Sequence, residues 1–319
     1  MSTRLRLLIG VVCMLLVVSN WTILAVFPLA ILYGAFVVPG RNPLTAWPFG
    51  MVLLQAVVYV TYVFFWIIGI QGINSELAQI VFVSLALLGV VLSKAPEHSM
   101  SDQLTYHSTA LLGVVLLLVV GLLVITVVEP SVLVNAHLGG GDHSNHVGFA
   151  YSLISHVNRA PLPSPLTVTG YAHATHFFIA LISAGSIRRF DGTALGLVFR
   201  DYAVFDLLIV FAITQISAGL VAFDRRRSRL VLPLAVVPAL LLLKTPNLLA
   251  HFWLSGFSTS LFALFSLVAS VGAAQSATSP RWKLGIATTS SFVLLGVYQP
   301  FSIVPLFVWV VGGRTVSPS

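Results

Sequence analysis

Charge is what this chain has least of: Lys, Arg, Asp and Glu together make up 8% of its 319 residues, against 58% apolar residues. Soluble domains carry about a quarter charged residues, so this composition cannot supply a water-facing surface around an apolar interior of that size. Cysteine is almost absent as well. The single Cys13 lies inside the first apolar stretch, which excludes a disulfide framework and a Cys-based metal site. Segments of about ten residues alternating polar with apolar, the mark of a membrane barrel, are missing too. That leaves the α-helix as the structure able to satisfy every backbone group in lipid. No internal repeat and no soluble domain stands out, so residues 1–319 read as a single membrane domain.

What is present fits that conclusion. Ala110 to Val128 and Ala203 to Phe223 are nearly uncharged runs of roughly 20 residues, the length a helix needs to cross about 30 Å of hydrocarbon. Leu5 to Val38 is too long for one comfortable span and is interrupted at Ser19, Asn20 and Pro28, so it reads as two short helices or one long kinked helix. Leu44 to Ile70 and Leu77 to Leu92 follow, then a polar loop from Lys94 to Tyr106. Further apolar runs cover Leu230 to Leu243, His251 to Ala274, Leu284 to Tyr298 and Phe301 to Val311. The expected fold is all-α and polytopic, with about eight to ten membrane helices and one long external loop carrying interfacial or re-entrant helices.

The net charge of +7 would suggest nucleic acid in a soluble protein, but here the basic residues cluster at span ends, so they report topology instead. Arg4 and Arg6 place the N-terminus in the cytoplasm, and no A-x-A-like cleavage site follows the first apolar run. If Tyr171 to Ile187 spanned the membrane, Arg188-Arg189 and Arg225-Arg226-Arg227 would fall on opposite sides, and both could not be inside. The simpler solution makes Tyr171 to Ile187 interfacial or re-entrant. Residues 129–201 are then external, and Ala203 to Phe223 descends to a cytoplasmic Arg225 to Arg229 patch.

That external stretch is the least hydrophobic part of the chain. It holds Gly139-Gly140-Gly141, prolines 161, 163 and 165, and the densest set of histidines: His137, His143, His146 and His156, with His173 and His176 just beyond. The glycines allow a tight turn, and Asp142 as an N-cap would start a helix running through Val147, Phe149, Ile154 and Val157. Asp142 and His146 are then four apart on one face, able to hold a divalent metal or a sugar hydroxyl between them. The plainer alternative is a capping acid and interfacial histidines, which suits His143 and His156. His173 and His176, three apart at the start of an apolar helix, are either interfacial anchors or partners of the first pair in a mixed oxygen and nitrogen site for Mg, Mn or Zn. An H-E-x-x-H protease signature is absent. Asp206 and Glu76 are weaker candidates: the first lies in a span near Arg200, the second complements a helix dipole.

The order G-G-G-D-H-S-N-H-V-G-F-A-Y-S-L-I, a proline-rich stretch, then Y-A-H-A-T-H-F-F-I-A-L-I-S resembles the first-loop region of the GT-C superfamily of membrane glycosyltransferases, over about residues 138–186. The resemblance implies a polyprenyl-phosphate sugar donor, a cell-envelope glycan acceptor, Asp142 as catalytic base or metal ligand, and loop helices lying along the membrane surface. By the same analogy His146, His173 and His176 line the site; they are also the candidate metal ligands, and Asn145, Arg159 and Arg188 are the candidate substrate contacts. Arg159 or Arg188 would steady the leaving phosphate. Two other readings stay open: a non-enzymatic transporter, flippase or partner of cell-envelope machinery, and a metal-dependent membrane hydrolase. The partners expected are membrane lipid, a lipid-linked sugar, the glycan acceptor and a further membrane protein, and not nucleic acid.

Overall fold

The computed structural model describes residues 1–37, 43–70, 72–93, 141–155, 173–189 and 192–221, with isolated residues between 284 and 310. Among the described residues every regular element is a helix and there is no strand. The spans expected at Ala110 to Val128, Leu230 to Leu243, His251 to Ala274 and Phe301 to Val311 lie outside the described residues, as does nearly all of Leu284 to Tyr298.

The first apolar block forms two helices, α1 (Thr3–Val18) and α2 (Thr22–Val37). Ser2 opens α1 by accepting a hydrogen bond from the Leu5 amide at 3.3 Å. The break comes at Asn20, whose φ of 66° is left-handed, a conformation that Asn tolerates better than most residues. Pro28, the other interruption seen in the sequence, is carried inside α2. α3 (Pro43–Ile67) returns alongside α2, and here the backbones touch. A β-carbon on Gly50 would overlap the Ala30 carbonyl and the Gly34 amide, and one on Gly34 would overlap the Ala46 carbonyl. α4 (Ser75–Leu92) starts at Asn74, whose side chain accepts from the Leu77 amide at 2.8 Å. Glu76 sits in its first turn, where it complements the helix dipole. Ala46–Phe65 within α3 and Ser75–Leu92 are each long and apolar enough to cross a membrane.

These four helices alternate in direction and so define two ends. At one end Arg6, near the start of α1, donates to the Val90 carbonyl near the end of α4 at 3.4 Å. At the other lie the α1–α2 turn, the last turns of α3 and the first turns of α4. Along α4 the ends are separated by 18 residues, or about 27 Å.

The remaining helices gather at the turn end. α5 (Gly141–Ser155) buries Val147, Ala150 and Ile154, a single helical stripe, against α6 and α7, and its Leu153 carbonyl accepts from the Ile73 amide just before α4. α6 (His173–Ser186) packs Phe177 against Tyr62 and Phe65 in the last turns of α3, with ring centroids 5.0 and 5.9 Å apart. Farther along α6, the Gly185 carbonyl accepts from Gln79 of α4. Both halves of α6 therefore touch the same end of the bundle, and from Phe177 to Ile187 it is buried on every side. α7 (Gly192–Val221) begins there as well and runs toward the Arg6 end, where Gln215 accepts from Trp47 Nε1 at 2.7 Å in the second turn of α3.

Candidate functional site

The glycine-rich turn does lead into a helix, one residue earlier than the sequence suggests. Because α5 begins at Gly141, Asp142 occupies its first turn instead of preceding it. Asp142, Asn145 and His146 all belong to α5, so the four-residue spacing of Asp142 and His146 is a helical one. His173 and His176 open α6, and α5 packs directly on α6. The two expected pairs therefore stand on neighbouring helices. Their side chains, together with Arg159 and the turn at Gly139 and Gly140, lie outside the described residues. No three His, Cys, Asp or Glu side chains cluster among the described residues, and the Mg, Mn or Zn site remains an expectation carried by these positions.

Arg188 follows α6 and is exposed, but it is not loose. Its Nε donates to Asn20 Oδ1 at 2.9 Å and Nη2 to the Val18 carbonyl at 3.3 Å. Asn20 Oδ1 also accepts from Gln79 Nε2 at 3.3 Å. One amide oxygen thus joins the α1–α2 turn, α4 and the end of α6.

Beside this node lies a polar group that the sequence reading passed over. Asp201 is fully enclosed, and Arg200 is 5% exposed. Arg200 Nε donates to Asp201 Oδ1 at 2.8 Å, with Nη2 in charge contact with the same oxygen at 2.7 Å. Ser183 of α6 donates to the other carboxylate oxygen at 2.8 Å. The guanidinium lies 5.7 Å from the Trp21 ring, within cation–π range. The acid is thereby paired and hydrogen-bonded, the condition on which a buried charge is tolerated. Two more hydroxyls at this junction, Thr22 Oγ1 and Ser186 Oγ, are buried without a partner among the described residues. The sequence signal was the Arg-Asp dipeptide itself. Opposite charges side by side cancel, so a helix can run through them, whereas the apolar run beginning at Ala203 suggested that the helix started later. Asp206 lies on the same helix, with its side chain outside the described residues.

No protein-family model, no curated protein and no solved structure matches the chain.

Proposed function

We propose that the chain is a multi-pass membrane protein with a cytoplasmic N-terminus, and that it works at its external, turn end as a glycosyltransferase moving a sugar from a polyprenyl-phosphate donor to a cell-envelope acceptor. The membrane placement is supported by what the bundle turns outward. Leu8 and Leu15 of α1 and Ile80 and Val91 of α4 are each 60% exposed or more. Such a surface is costly in water and ordinary in lipid. The sidedness is supported by Arg6 and Arg188 lying at opposite ends of α4: with Arg4 and Arg6 inside, Arg188 and Arg189 are outside. Because both halves of α6 touch the turn end, it reads as a re-entrant helix enclosed by protein. Non-crossing segments at membrane depth are tolerated in that setting.

The observation that carries the functional reading is the packing of α5 on α6 at that end, which puts Asp142 with His146 and His173 with His176 on neighbouring helices. In the transfer, the bond between the sugar's anomeric carbon and the donor phosphate oxygen breaks as the acceptor oxygen bonds to that carbon. Asp142 takes the acceptor's proton, and the phosphate leaves with the electron pair, steadied by Arg159 or Arg188. Asn145 and the histidines orient the sugar. A divalent ion, if bound, would be held by His146, His173 and His176 and would add positive charge beside the leaving group.

Complementation of a deletion strain tests this without a known substrate. Asp142→Asn keeps size and hydrogen bonding but removes the base, so activity should fall ~10² to 10⁴-fold at equal expression, while His143→Gln is nearly silent. A second reading, a transporter or flippase, draws on the enclosed Arg200-Asp201 pair within α7, since ionisable groups inside a membrane mark transport paths. It would be preferred if Asp201→Asn abolished complementation in a protein that still folds while Asp142→Asn did not.

A further inference from the structure

We propose that the turn end carries a docking site for one anionic phospholipid of the outer leaflet, its phosphate held by Arg188 and Arg189 and one acyl chain lying along α1. The first observation is that Arg188 is pinned. An arginine that merely anchors a helix at a headgroup layer needs no fixed rotamer, yet this one commits Nε and Nη2 to Asn20 Oδ1 and the Val18 carbonyl. The acceptor is itself held, by the left-handed backbone of Asn20 and by the second bond from Gln79. The residue is still exposed, so it can meet a phosphate oxygen without first losing rotamer freedom. Arg189 beside it is also exposed, and among the described residues no carboxylate is paired with either arginine.

The second observation is what begins at the same spot. Val18, whose carbonyl Arg188 binds, is the top of an outward stripe on α1 that continues through Leu15, Val11 and Leu8, each 50% exposed or more. The spacing of three or four residues puts them on one face, about 15 Å long. A paired basic head directly above an apolar strip of that length matches a lipid, and a soluble phosphate would leave the strip unused. Trp21, 38% exposed at the same turn, is a side chain suited to the headgroup level. This inference rests on the membrane placement proposed above and not on the transfer chemistry.

Native mass spectrometry of the full chain released from detergent measures lipid retention directly. Wild type should keep one dioleoylphosphatidylglycerol, and Arg188→Gln with Arg189→Gln should bind it at least about tenfold more weakly, while Arg4→Gln at the other end should not change it. Equal retention by the double variant would overturn the site. A chain-length series on wild type alone gives a test free of any folding effect: dihexanoyl lipid should be held far more weakly than dioleoyl, and equal retention, or displacement by inorganic phosphate as readily as by lipid, would also overturn it. Resistance of the bound phosphatidylglycerol to an equal amount of polyprenyl phosphate supports the site as a phospholipid's, and ready displacement would overturn that assignment. Asp142→Asn should leave retention unchanged, so failure of the transferase reading and failure of this site are told apart.

Discussion

The α2–α3 hairpin and the α6–α7 junction are both enclosed, yet they are held together by different means. In the hairpin, Gly34 and Gly50 let two backbones meet, and the surroundings are apolar: Val26, Leu29, Ala30 and Met51. Lipid is as apolar as leucine, so in a membrane such contact gains little from water exclusion and depends on closeness of fit. At the junction, Ser183, Gln79, Asn20, Arg188, Arg200 and Asp201 join α6 to its neighbours through directed bonds. Directed bonds fix register and rotation, whereas a packed hairpin only has to stay closed.

Breaking the junction should have the largest effect on stability. Arg200→Ala leaves Asp201 charged, enclosed and short of its partner, and should cost about 3–5 kcal/mol in detergent unfolding. Replacing both, Arg200→Met with Asp201→Leu, removes the charges together and should recover most of that loss. If the double variant is as unstable as the single one, the loss comes from the missing bonds and packing and not from an unpaired buried charge.

The hairpin should respond to volume and not to charge. Gly50→Ala forces its new methyl against the Ala30 carbonyl and should cost about 1–3 kcal/mol. The same change at Gly148, an exposed glycine of α5 with open space around it, should be neutral or slightly stabilising by thermal shift. Similar losses at both glycines would mean that close approach is not the device that joins α2 to α3.

The contrast also explains what could be read from sequence. Apolar packing in lipid leaves its trace as run length, so α3 and α4 fall close to the runs Leu44 to Ile70 and Leu77 to Leu92. Asn20 marked the α1–α2 break because a left-handed residue is a local property. Pro28 did not break its helix, which continues to Val37. Asp142 and His146 were readable as one helical face because their spacing is short. Asp201 was not, because its bond to Ser183 spans 18 residues and depends on how α6 packs against α7.

The smallest effect is expected where the two regions meet. Asn20→Gly keeps the left-handed backbone but removes the oxygen that Arg188 and Gln79 share. It should cost about 1 kcal/mol or less, because the site is partly open to solvent and the glycine suits the turn. A loss as large as that of Arg200→Ala would make this node, and not the enclosed contact of Ser183 with Asp201, the chief tether of α6.

The claim beneath all of this is that Arg6 and Arg188 mark opposite faces of a membrane, with the α5–α6 end outside. Cysteine labelling tests it most directly, since the native Cys13 is buried and should give no background. In intact cells an impermeant thiol reagent should label Arg189→Cys at once and Ser2→Cys only after permeabilisation. Labelling of both from outside, or of Ser2→Cys alone, would contradict the placement and the external site built on it.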